Sequence, residues 1–391
     1  MPDPTVPPTE PLRFAYWVPN VSGGLVTSDI EQRTDWSYEY NRDLARIAER
    51  AGFDYALSQV RYMASYGADH QQESTAFSLA LALATERLTV IAAVHPGFWQ
   101  PAVLAKWLAT ADHLTGGRIA TNVVSGWFKG EFTALGEPWL EHDERYRRSA
   151  EFIQALRASW TQDAAHLAGD FYRLRGYALQ PKPLSWPGRP HPEIFQGGNS
   201  TAARQNGGRL ADWYFSNGKD FEGVREQLAD LRRIAAEAGR GTTDSALPAG
   251  PRFGLNGFAI VRDTRKEAED TLREIVAKAN RPAVEGFGDA VRQAGRSSPD
   301  GKGMWAESSF EDLVQYNDGF KTGLIGTPEE VATRLVEYRA LGVDLSLLGF
   351  LHFQEEVEAF GRDVLPIVRE LEVEAGLDPG AVPVPVGAAG D

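Results

Sequence analysis

The sequence predicts an α/β protein, a (β/α)8 TIM barrel with extended loops. Three observations predict it. Eight short stretches rich in β-branched and aromatic residues alternate with helical periodicity along the 391 residues, as parallel strands joined by crossover helices do. The fourth stretch, within 117–127, carries Ile119, Val123 and Val124 and then gathers Asn122, Ser125, Gly126 and Trp127, at the strand end where barrels hold their ligands. No G-x-G-x-x-G follows the first strand, which disfavours a doubly wound sheet.

The elements follow in order. Residues 1–11, Pro-rich and acidic, are expected to form a disordered lead. LRFAYWVPN, 12–20, is the first strand, closed by Pro19 and the pair Gly23-Gly24. Leu44, Ile47 and Ala48 share one face of a helix over 36–51 that Gly52 stops. A strand at 54–59 and an Ala-rich helix at 73–86 come next, then the strand LTVIAAV, 88–94, and a helix over 102–113 ending at Gly116-Gly117. Beyond the fourth strand, Asp143 is the expected cap of a helix running to about Trp160. Residues 169–179 alternate like a hairpin, and a Pro-rich loop covers 182–192. The fifth strand is 193–198, after which Ser200 caps a short helix; the sixth is 212–217, with an amphipathic helix at 220–239. The seventh is 252–261 with a helix at 264–279, and the eighth is 344–350, between helices at 328–341 and 353–372. The 280–321 stretch is too long for an ordinary connection and is expected to be a lid over the barrel mouth. Residues 12–372 thus read as one domain, and 373–391, rich in Pro, Gly and Ala, as a flexible tail.

Bulk properties narrow the function. A net charge of -14 argues against nucleic acid or an anionic membrane as partner. The chain has no cysteine, which excludes disulfides, thiolate catalysis and zinc–thiolate sites. No basic-then-apolar leader precedes residue 12 and no apolar run nears the ~18 residues of a membrane span, so a cytoplasmic location is expected. With 10 Trp, 12 Tyr and 19 Phe, the chain has enough rings to line an apolar cavity as well as a core.

The polar residues suggest a ligand more than a side-chain catalyst. Gly197-Gly198-Asn199-Ser200 opens a helix after a strand, and the free N–H groups there, with Arg204 one turn on, would cradle a phosphate. A plain helix cap reads the same way from sequence. His142-Asp143-Glu144-Arg145-Tyr146 reads first as a charged helical turn. Strand ends supply Trp17, Asn20, Ser58 to Val60, His95, Asn256, Phe258, Phe350 and His352 as candidates to face the mouth, each with core packing or turn formation as its plainer explanation. The histidines lack metal-type spacing, and neither G-x-S-x-G nor a Walker loop occurs. A mouth rich in rings and poor in acids and bases suits a cofactor with its own reactivity.

Taken together, YWVPNVSGGL, IEQRTDW, GFDYALSQVRY, TGGRIATNVVSGW, HDERYRRSAEF, QGGNS and IGTPEEV give the chain a specific likeness. From about residue 12 to 372 it resembles the bacterial luciferase-like family of flavin-dependent monooxygenases, with YWVPNVSGG and ALSQVRY similar to its sulfone-cleaving branch. The resemblance implies FMN, used as FMNH2 with O2 and delivered by a separate NAD(P)H-dependent flavin reductase, and a homo-oligomer, dimer or tetramer. It implies that a small neutral sulfone loses a C–S bond through a flavin (hydro)peroxide. Gln59, Val60, Asn122, Glu131, Arg145, Tyr146 and Ser200, with Gly198, fall on positions that touch the flavin. Sulfonate-cleaving relatives carry Arg and His where this chain has Asn256 and Phe258, and a further Arg aligned with Asn317. Losing those guanidiniums favours an uncharged substrate. Trp17, Trp99, Trp127, Phe258 and Phe350 are expected to form the apolar wall around the substrate. Asn122 is expected to hydrogen-bond the flavin, and His95 or His352 to move a proton. Three rivals stay open: an alkanesulfonate monooxygenase, a deazaflavin-dependent reductase of the same fold, and a non-catalytic flavin carrier.

Overall fold

Eight strands close into a barrel: β1 (Arg13–Val18), β2 (Tyr55–Ser58), β3 (Thr89–Val94), β4 (Ile119–Val123), β7 (Ile194–Gly197), β8 (Trp213–Ser216), β9 (Arg252–Phe258) and β12 (Leu345–Gly349). Every neighbouring pair is parallel, and β12 returns to β1 with Ala15 opposite Leu347. The structure is a computed structural model that describes residues 10–377 apart from 243, 244, 246, 297 and 304. Two minor pairs lie outside the barrel: the antiparallel hairpin β5 (Ala165–Ala168) with β6 (Arg173–Tyr177), and β10 (Ile260–Val261) beside β11 (Ile325–Gly326).

Alternation along the strands builds two apolar layers. Ala15, Tyr55, Ile91, Ala120, Phe195 and Trp213 fill the barrel, with the Phe195 and Trp213 rings stacked at 5.3 Å. The opposite faces, including Phe14, Tyr16 and Val90, pack beneath the helices. Those are α1 (Tyr38–Ala51), α2 (Ser74–Leu83), α3 (Pro101–Thr115), α4 (Lys129–Ala134), α5 (His142–Thr161), α6 (Thr201–Leu210), α7 (Phe221–Glu237), α8 (Arg265–Ala277), α9 (Arg281–Arg296), α10 (Phe310–Val314), α11 (Pro328–Leu341), α12 (Phe353–Asp363) and α13 (Leu365–Glu374). At α1 the cap is Gly52, whose φ of 99° lets its N–H reach the carbonyls of Ala48 and Glu49.

The departures from expectation are local. Helix α5 begins at His142, and its first turn holds Asp143 rather than being capped by it. The seventh strand breaks after Phe258, and Ile260–Val261 pairs with Ile325–Gly326 instead. The last helix divides at Val364, because Pro366 in the first turn of α13 supplies no N–H to continue α12. Residues 280–321 are largely helical: Val284, Phe287 and Val291, at helical spacing, bury one face of α9. Both ends of this covering segment are tied to the loop after β1, since Thr27 N–H donates to Val314 O at 2.8 Å and Asn280 N–H to Thr27 O at 3.0 Å. The chain ends meet the barrel too: Leu12 N–H donates to Glu372 Oε1 at 2.6 Å, and Leu377 is buried. The expected disordered lead and flexible tail fall chiefly on 1–9 and 378–391, outside the described residues.

Candidate active site

At the carboxyl ends of the strands the barrel opens into a cleft of about 1250 Å³, counted out to its mouth. Its floor is the top of the interior layer, Leu57, Ala93, Phe215 and Leu347. Around this floor stand Trp17, Gln59, Val60, Arg61, Asn122, Ser125 and Trp127. Helix α5 contributes His142, Arg145 and Tyr146, and the covering segment lays Phe287, Trp305, Tyr316 and Asn317 across the top.

The two ends of the cleft differ in chemistry. At one end β7 runs through Gly197 and Gly198 into α6, whose Ser200 cap accepts from Ala203 N–H at 3.3 Å. A side chain on Gly198 would stand 2.6 Å from Ala203 Cβ and 2.8 Å from the Tyr146 hydroxyl, so the backbone approaches Tyr146 only because the residue is glycine. Beside it the Arg145 guanidinium lies 4.0 Å over the Trp139 ring, and among the described residues its Nε and Nη1 have no partner. Burial pushes the Arg145 pKa down to about 10. From the covering segment, the Asp300 carboxylate accepts from Thr201 N–H at 2.7 Å and from the Ser298 hydroxyl.

The other end is aromatic. Trp127 packs 5.4 Å from Phe287 and 5.7 Å from Trp305. Trp17 Nε1 donates to Asn256 Oδ1 at 2.5 Å, and Asn256 Nδ2 donates to Asn317 O at 2.8 Å, a strut from β1 through β9 to the covering segment. Between the ends, Asn122 Oδ1 is buried without a partner among the described residues, although an unpaired buried oxygen is costly. The sequence profile of luciferase-like monooxygenases matches residues 12–345. The chain belongs to the luciferase-like monooxygenase family.

Within that family it is similar to two proteins described as FMNH2-dependent dimethylsulfone monooxygenase. The one from Pseudomonas putida is 62% identical over 366 residues, 94% of this chain and 98% of the relative. The one from Pseudomonas fluorescens (strain Pf0-1) is 60% identical over 364 residues, 93% and 96% of the two chains. Among solved structures, a riboflavin lyase with modified FMN and riboflavin has the same fold, with a TM-score of 0.77 at 22% identity over 93% of this chain and 92% of that one. Among the described residues no helix is long and apolar enough to cross a membrane.

The donor set fits flavin mononucleotide. An apolar floor suits a flat ring system, the orphaned Asn122 Oδ1 suits a ring N–H, and the unpaired Arg145 with Tyr146, Gly198 and Ser200 suits a phosphate. The cleft brings together Gln59, Val60, Asn122, Arg145, Tyr146, Trp17, Trp127 and Asn256. Gly198 and Ser200 stand just behind its polar end.

Other expected residues lie elsewhere. Glu131 is buried beneath the loop after β2, where its Oε1 accepts from the N–H groups of Tyr62 and Met63 at 2.5 and 3.0 Å. It positions that loop instead of lining the cleft. His95 is behind β4, bonded through Nδ1 to Val124 O at 2.9 Å. Its Nε2 lies 3.6 Å from Glu131 Oε2, yet this is no ion pair, because burial pushes His95 down to about 4 and Glu131 up. His352 precedes α12 on the outer side, where its Nδ1 accepts from Arg33 N–H at 3.1 Å. Phe258 turns under the 3-10 turn Gly319–Thr322, 5.2 Å from Phe320, because β9 ends there. Phe350 points to the helix side and packs on Phe353 and Phe360, and Trp99 donates to the Tyr62 hydroxyl outside the cleft. Sequence reading missed Arg61, Phe287, Trp305 and Tyr316. The 3.6-residue spacing in α9 was the one signal for Phe287.

Proposed function

We infer that this enzyme is an FMNH2-dependent monooxygenase that converts dimethylsulfone and O2 to methanesulfinate, formaldehyde and water, with FMN as the oxidised product. The observation that carries this is the 62% identity over 94% of the chain with the Pseudomonas putida dimethylsulfone monooxygenase, joined to a cleft built for a flavin. Reduced FMN, when bound, supplies the electrons that activate O2. Arg145, Tyr146, Gly198 and Ser200 hold its phosphate, while Gln59, Val60 and Asn122 set the position of the ring. Trp17, Trp127, Phe287 and Trp305 exclude water from the face where oxygen reacts, which suppresses uncoupled loss of the oxidant. The 280–321 segment acts as a lid, a role supported by the four side chains it lays over the cleft.

A cytoplasmic location beside a separate NAD(P)H-dependent reductase goes with this reading, since the flavin has to arrive reduced. A homo-oligomer fits Leu83, Val103 and Leu114, which α2 and α3 leave 54, 59 and 57% exposed. The test is a product assay with dimethylsulfone, chemically reduced FMN and air. Formaldehyde and methanesulfinate are expected in equal amounts without any reductase. Sulfite release from an alkanesulfonate in place of those products, or turnover without O2, would overturn the reading.

A further inference from the structure

Among the described residues that line the cleft, Arg61 is the one arginine that a phosphate held by Arg145 leaves without a task. It is only 7% exposed, and its guanidinium sits between the rings of Trp127 and Tyr316, 5.1 and 5.2 Å from their centroids. Nη1 donates to Ser65 Oγ and O at 3.0 and 3.4 Å, which fixes the plane of the fork. Among the described residues Nε and Nη2 donate to no protein group, and the residue lines the cleft. The nearby carboxylate, Glu131, turns its oxygens to the Tyr62 and Met63 amides and to His95. Two ring faces therefore stabilise this cation in place of a carboxylate, and its donors remain available to an acceptor in the cleft.

We propose that Arg61 binds the sulfonyl oxygens of the substrate and then holds the sulfinate anion formed from it, so that methanesulfinate is a competitive inhibitor. The inference rests on the dimethylsulfone reading above. A sulfone and a sulfinate both present two oxygens on one sulfur, and a planar two-donor fork matches that pair. Cleavage leaves the C–S electron pair on sulfur, and the departing carbon leaves oxidised as formaldehyde. One atom of O2 goes to that carbon and the other to water, with the electrons drawn from reduced FMN. The sulfone oxygens carry only partial charge, whereas the sulfinate carries a full one. A guanidinium without a counter-ion therefore favours product over substrate.

Calorimetric titration of methanesulfinate into the protein loaded with oxidised FMN tests this, with R61K and R61Q beside the wild type. R61Q is expected to weaken binding by about 10- to 150-fold, the range for losing a charge-assisted contact. R61K falls between, because it keeps the charge but not the fork. FMN affinity stays within about twofold in both variants, which also reports that they fold. In turnover, R61Q raises KM for dimethylsulfone more than it lowers kcat. Equal methanesulfinate binding by R61Q and wild type, or none by wild type, overturns the proposal. Formaldehyde release by the wild type upholds the dimethylsulfone reading whichever way Arg61 falls, and the titration decides Arg61 even if dimethylsulfone is not turned over.

Discussion

Replacing Arg145 with methionine should move stability and flavin affinity in opposite directions. The side chain is 2% exposed, and two of its nitrogens lack a partner among the described residues. A guanidinium held at about 10 instead of 12.5 by burial costs the flavin-free fold on the order of 3 kcal/mol. The sign follows from the direction. With the folded pKa depressed, the charged form is disfavoured in the fold, so the penalty is present at every pH well below 10. Methionine removes that penalty and forfeits the stacking on Trp139, about 0.5–2 kcal/mol. The net gain without FMN is roughly 1–2.5 kcal/mol. With FMN the variant loses a charge-assisted contact to the phosphate, about 1.5–3 kcal/mol, or roughly 10- to 150-fold in Kd. Thermal unfolding without flavin and fluorescence titration with FMN measure the two terms. If R145M is destabilised by more than about 1 kcal/mol while binding FMN as the wild type does, the residue is a structural prop and the phosphate assignment is wrong.

Three further outcomes follow from the same geometry. G198A should weaken FMN binding by at least about tenfold, since its Cβ would meet Tyr146 and Ala203 inside contact distance at a φ of +144°; unchanged affinity would show that the cradle tolerates a shift. His95, neutral in the fold with its pKa pushed down to about 4, takes a proton more readily when unfolded. Stability should therefore fall by roughly 3 kcal/mol as pH drops from about 6.5 to about 4. H95Q should flatten that part of the pH profile of denaturant unfolding, and an equally steep profile would refute the account. N256L strands Trp17 Nε1 and Asn317 O, about 1–3 kcal/mol for each group left unmade. Hydrogen exchange at 315–318 should then quicken while the barrel strands stay protected, and unaltered exchange there would remove the strut.

What could be read from sequence, and what could not, divides along the range of the forces involved. The strands and their helices were legible because alternation, glycine stops and proline starts act within a few residues. The polar end of the cleft was legible for the same reason: Gly197 to Ser200 is a local turn-and-cap signal. Arg61 was not, because its aim depends on Glu131 gripping the next two amides from 69 residues away. Phe258 was misread because strand parity from Asn256 points it inward, and only the break after β9 turns it beneath Phe320. Asn256 faces the mouth as its strand end suggests, yet its amide bridges Trp17 and Asn317, partners 239 and 61 residues away. Guanidiniums absent from β9 and from the segment above it still leave one in the cleft, at Arg61.

Asp300 sets a negative charge from the roof of the cleft on the first amide of α6, one residue past Ser200. At the proposed phosphate site an arriving phosphate would meet that charge as a rival for the same corner of the molecule. Docking of the roof and seating of a flavin tail would then be opposed there, each discouraging the other to the same degree. On the proposed reading, in which flavin is exchanged at each turnover, such a resident competitor would favour the discharge half of the traffic.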